Sequence, residues 1–289
     1  MENLYDVNGL IFWDESDIQL RRLFETYFKQ RLQNALCKQN AAFTFIQCEA
    51  PLLTPVNLIN KNYTAEDVYV VGTDNPDVSL VLRPETTMGS YLYAQKMLSG
   101  YNNVKYRPPV VVWQHGKSFR REQDQPTKFM RLKEFYQLEF QIIFSPSTAN
   151  DYSLQLYPAV RDMLSDMIGP CRLEESDRLP EYSEQTMDVI CSRTNMEVCS
   201  ISKRKDLAGY KVIEVAIGTD RCIYNFKKKN TPTGEELAAV LHSIHQHGQD
   251  EKIVYPEETL LPALKAFGLP EPEWKESYAL DEYQRRKDT

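Results

Sequence analysis

The chain has 289 residues, 42% of them hydrophobic and 11% aromatic, and a formal net charge of −7. That length fits two small domains or one large catalytic one, with ample apolar material for a core. The acidic balance argues against a broad basic surface for nucleic acid, though not against a local basic patch, and no segment approaches the roughly 20 apolar residues of a membrane span.

Residues 16–36 have helical spacing at Leu20, Leu23, Phe24, Tyr27, Phe28, Leu32 and Leu36, with Ser16 as the expected cap. FTFIQCEAPLLTP (43–55) reads as a strand running into Pro51, which lacks an N–H and so belongs on an edge, at a bulge or at an interface. Segment 87–99 reads as a helix ending at Gly100. PPVVVWQHGKSFRRE and the run from Met130 to Phe144 are strand-like, joined by a polar turn at Gln123–Lys128 that contains Pro126. Together they predict a long antiparallel hairpin.

Residues 148–168 are helical in pattern, with Pro158 either kinking the helix or marking its start. Strands follow at 185–192, 195–201 and 210–218, then a helix near Asp220. Another helix runs from Pro232 to about His247, with Thr231 as cap. The sum is an α+β fold, an antiparallel sheet flanked by helices, with residues 1–230 as one domain and 231–289 as a helical extension. GxGxxG and Walker motifs are missing, so a bound nucleotide would rest on side chains of a sheet.

The six cysteines (Cys37, Cys48, Cys171, Cys191, Cys199, Cys222) form no CxxC pair, and the acidic N-terminus MENLYDVNGLIFWDES lacks the apolar run of a signal peptide. Reduced thiols in a cytoplasmic protein are the expectation. Cys191 with Cys199 could in principle hold a metal, but the chain has only four histidines and three of them lie together in HSIHQH, so no metal held by protein ligands alone is expected. HSIHQH and KKKN (227–230) read as solvated faces.

Three distant stretches place charge on strand-like segments: LRPETTMG (82–89), GKSFRREQDQPTKFMRLKEFYQLEF (116–140) and VIEVAIGTDRCIYNF (212–226). Strand period puts Phe135, Gln137, Glu139 and Gln141 on one face, with Tyr136, Leu138, Phe140 and Ile142 on the packed one. It likewise opposes Glu214, Ala216 and Gly218 to Ile213, Val215 and Ile217, and sets Glu197 and Cys199 on a common face. Acids gathered on one floor repel and want a metal or an ammonium group. Arg120 and Glu122 share a face, Arg131 lies where the hairpin returns, and Arg221 sits in the first turn of a helix. Arginines and a helix N-terminus suit a polyphosphate. The pattern describes a site for an amino group and a nucleoside triphosphate, with Phe135 placed to stack on the base. Any single Arg–Glu pair here would more simply be a surface ion pair worth under about 1 kcal/mol. Joint order and spacing favour the site.

FRRE, a loop and RLKEFYQLEF resemble motif 2 of class II aminoacyl-tRNA synthetases. EVAIGTDR resembles motif 3, and FIQCEAPLL after a long helix resembles motif 1 with its interface proline, Pro51. LRPETTMG, GKSFRRE, KEFYQLE and VIEVAIGTDR are similar to the dimeric glycyl enzyme, over about residues 8–230. The resemblance implies a homodimer through motif 1 and use of ATP with Mg²⁺. It further implies that Arg120 binds the α-phosphate, Glu122 the adenine edge, Arg131 the outer phosphates and Arg221 the γ-phosphate, with Phe135 under adenine. Glu139, Glu197 and Glu214 would hold the glycine ammonium, and Glu85 would line its pocket. The family serine in EPSxG is Ala216 here, a hydroxyl contact worth on the order of 1 kcal/mol. The expected anticodon-binding domain has no counterpart in the sequence.

Three functions follow from these readings. The first is a ligase that charges the acceptor stem of tRNA with glycine. The second is a paralogue that passes the activated amino acid to a carrier protein, a nucleotide or modified nucleic acid. The third is a non-catalytic binding module, which predicts loss of Arg120 or Arg221, whereas both remain.

Overall fold

The computed structural model describes residues 5–7, 9–37, 43–72, 79–100, 105–121, 130–177 and 179–228. The chain opens with a two-stranded ribbon, β1 (Tyr5–Val7) and β2 (Leu10–Phe12), and the long helix α1 (Glu15–Cys37). The cap of α1 is Asp14, not Ser16. Asp14 Oδ1 accepts the Asp17 N–H at 2.9 Å and the Ser16 hydroxyl at 2.6 Å. A carboxylate two residues earlier meets the exposed N–H groups of the first turn and favours their partial positive charge. All seven apolar positions expected on α1 are buried.

The segment expected as one strand divides in two. β3 (Thr44–Gln47) joins the main sheet, whereas β4 (Leu53–Pro55) pairs with β6 (Leu80–Leu82) in a small sheet that also holds β5 (Tyr69–Val71). Pro51 falls in the crossing between them, where no ladder hydrogen bond is asked of it. Helix α2 (Thr87–Ser99) ends at Gly100 with φ of 101°, a left-handed conformation that glycine adopts without steric cost.

Strands β7 (Val110–Phe119) and β8 (Glu134–Phe144) pair antiparallel over their whole length, as the hairpin expectation required. The Gln123–Lys128 turn and the Pro232–His247 helix lie outside the described residues. Helix α3 (Ser153–Ile168) starts before Pro158, which therefore sits inside it. Then come β9 (Cys171–Glu175), a strand not foreseen, β10 (Ser183–Cys191), β11 (Met196–Arg204), β12 (Lys211–Gly218) and α4 (Thr219–Lys228). The main sheet runs β3-β7-β8-β12-β11-β10-β9, antiparallel except for the parallel pair β3–β7.

Strand alternation divides this sheet chemically. Leu138, Phe140 and Ile142 of β8 and Ile213, Val215 and Ile217 of β12 join the cluster formed with α1, α3 and α4. Each such side chain contributes about 1.5–3 kcal/mol on burial. On the opposite face α2 covers only one end, packing Tyr91, Ala94 and Leu98 on Val110, Val112, Ile143 and Val212. The rest of that face is the floor of a cavity. Among the described residues, no helix is long and apolar enough to cross a membrane.

Candidate active site

The cavity holds about 350 Å³ and is floored by β8, β12, β11 and β10. Its lining includes Glu139, Glu214 and Ala216 from the sheet, Glu85 from the turn before α2, and Phe135 at the start of β8. Arg120, Arg131, Arg221 and Glu197 line it as well. Of the candidates read from the sequence, Glu122 lies outside the described residues. Pro51 is exposed in the crossing between β3 and β4 and takes no part in the lining.

The carboxylates collect deep in the cavity. Glu139 and Glu214 are adjacent because Glu139 pairs with Ala216 and Glu214 with Gln141 across β8 and β12. Thr86 Oγ1 donates to Glu139, and the Thr87 hydroxyl lies 3.0 Å from Glu139 and 2.7 Å from Glu214. A hydroxyl has one proton, so Thr87 serves one carboxylate at a time. Glu214 has its own cation. Arg204 Nη1 lies 2.9 and 3.0 Å from its two oxygens, and Gln141 Nε2 donates at 2.7 Å.

Glu139 and Glu85 carry a different load. Burial, then the neighbouring Glu214 and Glu85 carboxylates, push Glu139 up to about 8. Burial, opposed by Arg204 and Arg120, leaves Glu85 at about 7. Glu85 Oε2 accepts from the Tyr63 hydroxyl at 3.3 Å, while its buried Oε1 has no partner. Two acids near neutrality, one with an unmet lone pair, favour a cationic donor between them.

The arginines occupy the other half. Arg120 follows β7, donates through Nε to the Pro84 carbonyl at 3.0 Å, and lies 5.1 Å from the Phe135 ring centroid. Arg221, in the first turn of α4, donates to the Glu197 carbonyl at 2.9 Å and sits 3.8 Å from its carboxylate. That turn is held from three sides. Arg21 of α1 pairs with the buried Asp220 at 3.1 Å, Asp220 accepts the Tyr136 N–H at 2.9 Å, and His115 of β7 meets Thr219 at 3.0 Å.

Glu197 does not share a face with Cys199 in the way simple alternation requires. Val189 pairs with Cys199 but Ile190 pairs with Glu197, so Val198 is an extra residue. Both residues border the cavity, but this bulge turns Glu197 toward it while Cys199 belongs with Ile201 and Ile217 to the helix-side core cluster.

Arg204, Tyr63, Tyr182 and the two threonines were not singled out from the sequence. Arg204 was within reach: continuing the alternation from Ser202 along β11 puts it on the cavity face. Its guanidinium lies 3.8 Å from the Tyr182 ring centroid. Tyr63 belongs to a connection far along the chain from the strands it meets, and no local pattern marks it. Arg83, the other charge of LRPETTMG, is structural. It donates to the carbonyls of Lys117 (2.8 Å) and Ala50 (2.6 Å), locking the turn that carries Glu85.

No protein-family model matches the chain. Structural neighbours are prolyl-tRNA synthetases. That of Giardia lamblia, in complex with prolyl-adenylate, aligns with a TM-score of 0.59 and 14% identity over 77% of this chain and 50% of that one. That of Cryptosporidium parvum, complexed with halofuginone and AMPPNP, gives 0.58 and 14% over 77% and 48%. The fold is that of the class II aminoacyl-tRNA synthetase catalytic core.

Curated sequence relatives are glycine–tRNA ligases. The Cutibacterium acnes enzyme is 27% identical over 222 residues, which is 65% of this chain and 45% of that protein. The Mesoplasma florum enzyme is 31% identical over 117 residues, 38% of this chain and 25% of that protein. The chain thus spans less than half the length of these relatives.

Proposed function

We propose that this chain activates glycine with ATP as glycyl-adenylate and transfers the glycyl group to the acceptor end of tRNA. The observation that carries the reading is the buried Glu85–Glu139 pair facing a cavity whose other half holds Arg120 and Arg221. An ammonium group would ionise both acids and take the unmet lone pair of Glu85. Glu214, compensated by Arg204, would hold Thr87 in place beside it.

With the ammonium fixed, the amino-acid carboxylate points at the α-phosphate. Its oxygen attacks phosphorus, a new C–O–P linkage forms, the bond to the bridging β-phosphate oxygen breaks, and pyrophosphate leaves. Arg120 neutralises charge on the α-phosphate, Arg131 and Arg221 hold the outer phosphates, and Glu122 and Phe135 seat the adenine. No side chain acts as a nucleophile; positioning and charge stabilisation supply the rate. In the second step the acceptor hydroxyl attacks the acyl carbon and AMP departs. Among the described residues no three potential ligands converge to hold a metal. Mg²⁺ would come bound to ATP and add charge neutralisation on its phosphates. Pro51 and its exposed neighbours Leu52 and Leu53 are the proposed homodimer contact.

ATP–pyrophosphate exchange across a panel of amino acids tests the first step. Exchange with glycine is expected, and exchange with none refutes the reading. Acylation of total tRNA tests the second step: glycine activation without tRNA charging moves the acceptor to a carrier protein, a nucleotide or modified nucleic acid.

A further inference from the structure

Tyr63 touches both halves of the cavity. Its hydroxyl reaches Glu85 Oε2 at 3.3 Å, and the Arg120 guanidinium lies 5.5 Å from its ring centroid. It sits outside the stretches that carry the synthetase resemblance, in the connection between β4 and β5, where its own N–H is tied to the Asn60 carbonyl at 3.0 Å. Burial holds the phenol well above its ordinary value, so it stays protonated and donates. A donor on Oε2 fixes the rotation of the Glu85 carboxyl and leaves Oε1, buried and without a partner, as the oxygen offered to the cavity.

We infer that Tyr63 is a positioning residue that orients Glu85 for the substrate ammonium and, through its ring, holds Arg120 for the phosphates. This rests on the activation reading above. A hydrogen bond to the ionised form favours that form. The other groups acting on Glu85 are Arg204 of β11, Glu214 of β12, Glu139 of β8, Arg120 after β7, and Tyr182. All of them stay in place when only the Tyr63 hydroxyl is removed.

The test compares wild type, Tyr63→Phe and Tyr63→Leu in the full chain. Tyr63→Phe is expected to raise the amino-acid KM in pyrophosphate exchange about tenfold while leaving the ATP KM unchanged. Tyr63→Leu, which also removes the ring from Arg120, raises both. The acid limb of the amino-acid kcat/KM profile moves to higher pH in Tyr63→Phe. So does the titration of Glu85, followed by carbon NMR of carboxyl-labelled glutamate and assigned with Glu85→Gln. If wild type exchanges and neither the KM ratio nor the Glu85 titration moves in Tyr63→Phe, the assignment to Tyr63 is overturned alone. If wild type exchanges with no amino acid, the activation reading falls and the positioning role falls with it.

Discussion

Arg204 and Glu214 meet across the antiparallel pair β11–β12, with one guanidinium nitrogen about equidistant from both carboxylate oxygens at 2.9 and 3.0 Å. Both side chains are nearly excluded from solvent, at 1% and 7% exposure. Of the acids deep in the cavity, Glu214 thus has its own cation, whereas Glu85 and Glu139 are met by the hydroxyls of Tyr63, Thr86 and Thr87.

Arg204→Met is therefore expected to destabilise the protein by about 3–5 kcal/mol, because it strands a buried carboxylate. Arg204→Met combined with Glu214→Gln should recover much of that loss. Urea unfolding of the two variants measures it, and equal loss in both would contradict the pairing.

The acids predict an unusual pH dependence. Glu85 and Glu139 are raised from 4.5 to about 7 and about 8 in the folded protein. Between pH 4.5 and 8 the native state therefore binds more protons than the unfolded one. Stability falls as pH rises through that window and levels off above it. Glu139→Gln should flatten the fall, as read from melting temperatures between pH 5 and 9. Binding of an ammonium ligand should release protons in the same window, measurable by calorimetry in buffers of different ionisation enthalpy.

Arg120→Ala should lower exchange by at least about a hundredfold, the usual scale for removing one preorganised charge donor. Its circular dichroism and urea midpoint should stay close to wild type, because the side chain lies at the cavity rather than in the core. Unchanged exchange would remove Arg120 from the site.

Gly116 faces the clamp formed by Arg83. A β-carbon there would stand 2.2 Å from Arg83 Nη2, and the guanidinium is already fixed by its hydrogen bonds. Gly116→Ala should cost about 1–3 kcal/mol and loosen the turn carrying Glu85. Gly72→Ala, with nothing within 4 Å, is the matched control in the same unfolding assay.

The central strands were legible because period two is a local signal: Glu139 and Leu138 declare opposite faces to any reader of the sequence. The helix α1 was equally plain from its seven apolar positions. Glu214 read as an acid awaiting a ligand because its partner Arg204 stands ten residues away on another strand, and only the β11–β12 register brings them together. The split of residues 43–55 was hidden for the same kind of reason. Pro51 marks the boundary between its halves but does not say where each goes, and the parallel pairing with β7 that separates them is a contact made more than sixty positions along the chain.

The extra residue at Val198 acts as a phase shift in β11. Beyond it, the even-numbered Ser200 and Ser202 line the cavity and Arg204 reaches Glu214 on the same face; before it, the odd-numbered Glu197 lines the cavity. Were Val198 taken into the ladder opposite Ile190 as an ordinary residue, unbroken alternation would carry the Glu197 carboxylate toward the helix side, among Ile201 and Ile217. One backbone unit, bearing no charge of its own, thereby decides whether an acid lies against Arg221 or against the apolar layer beneath.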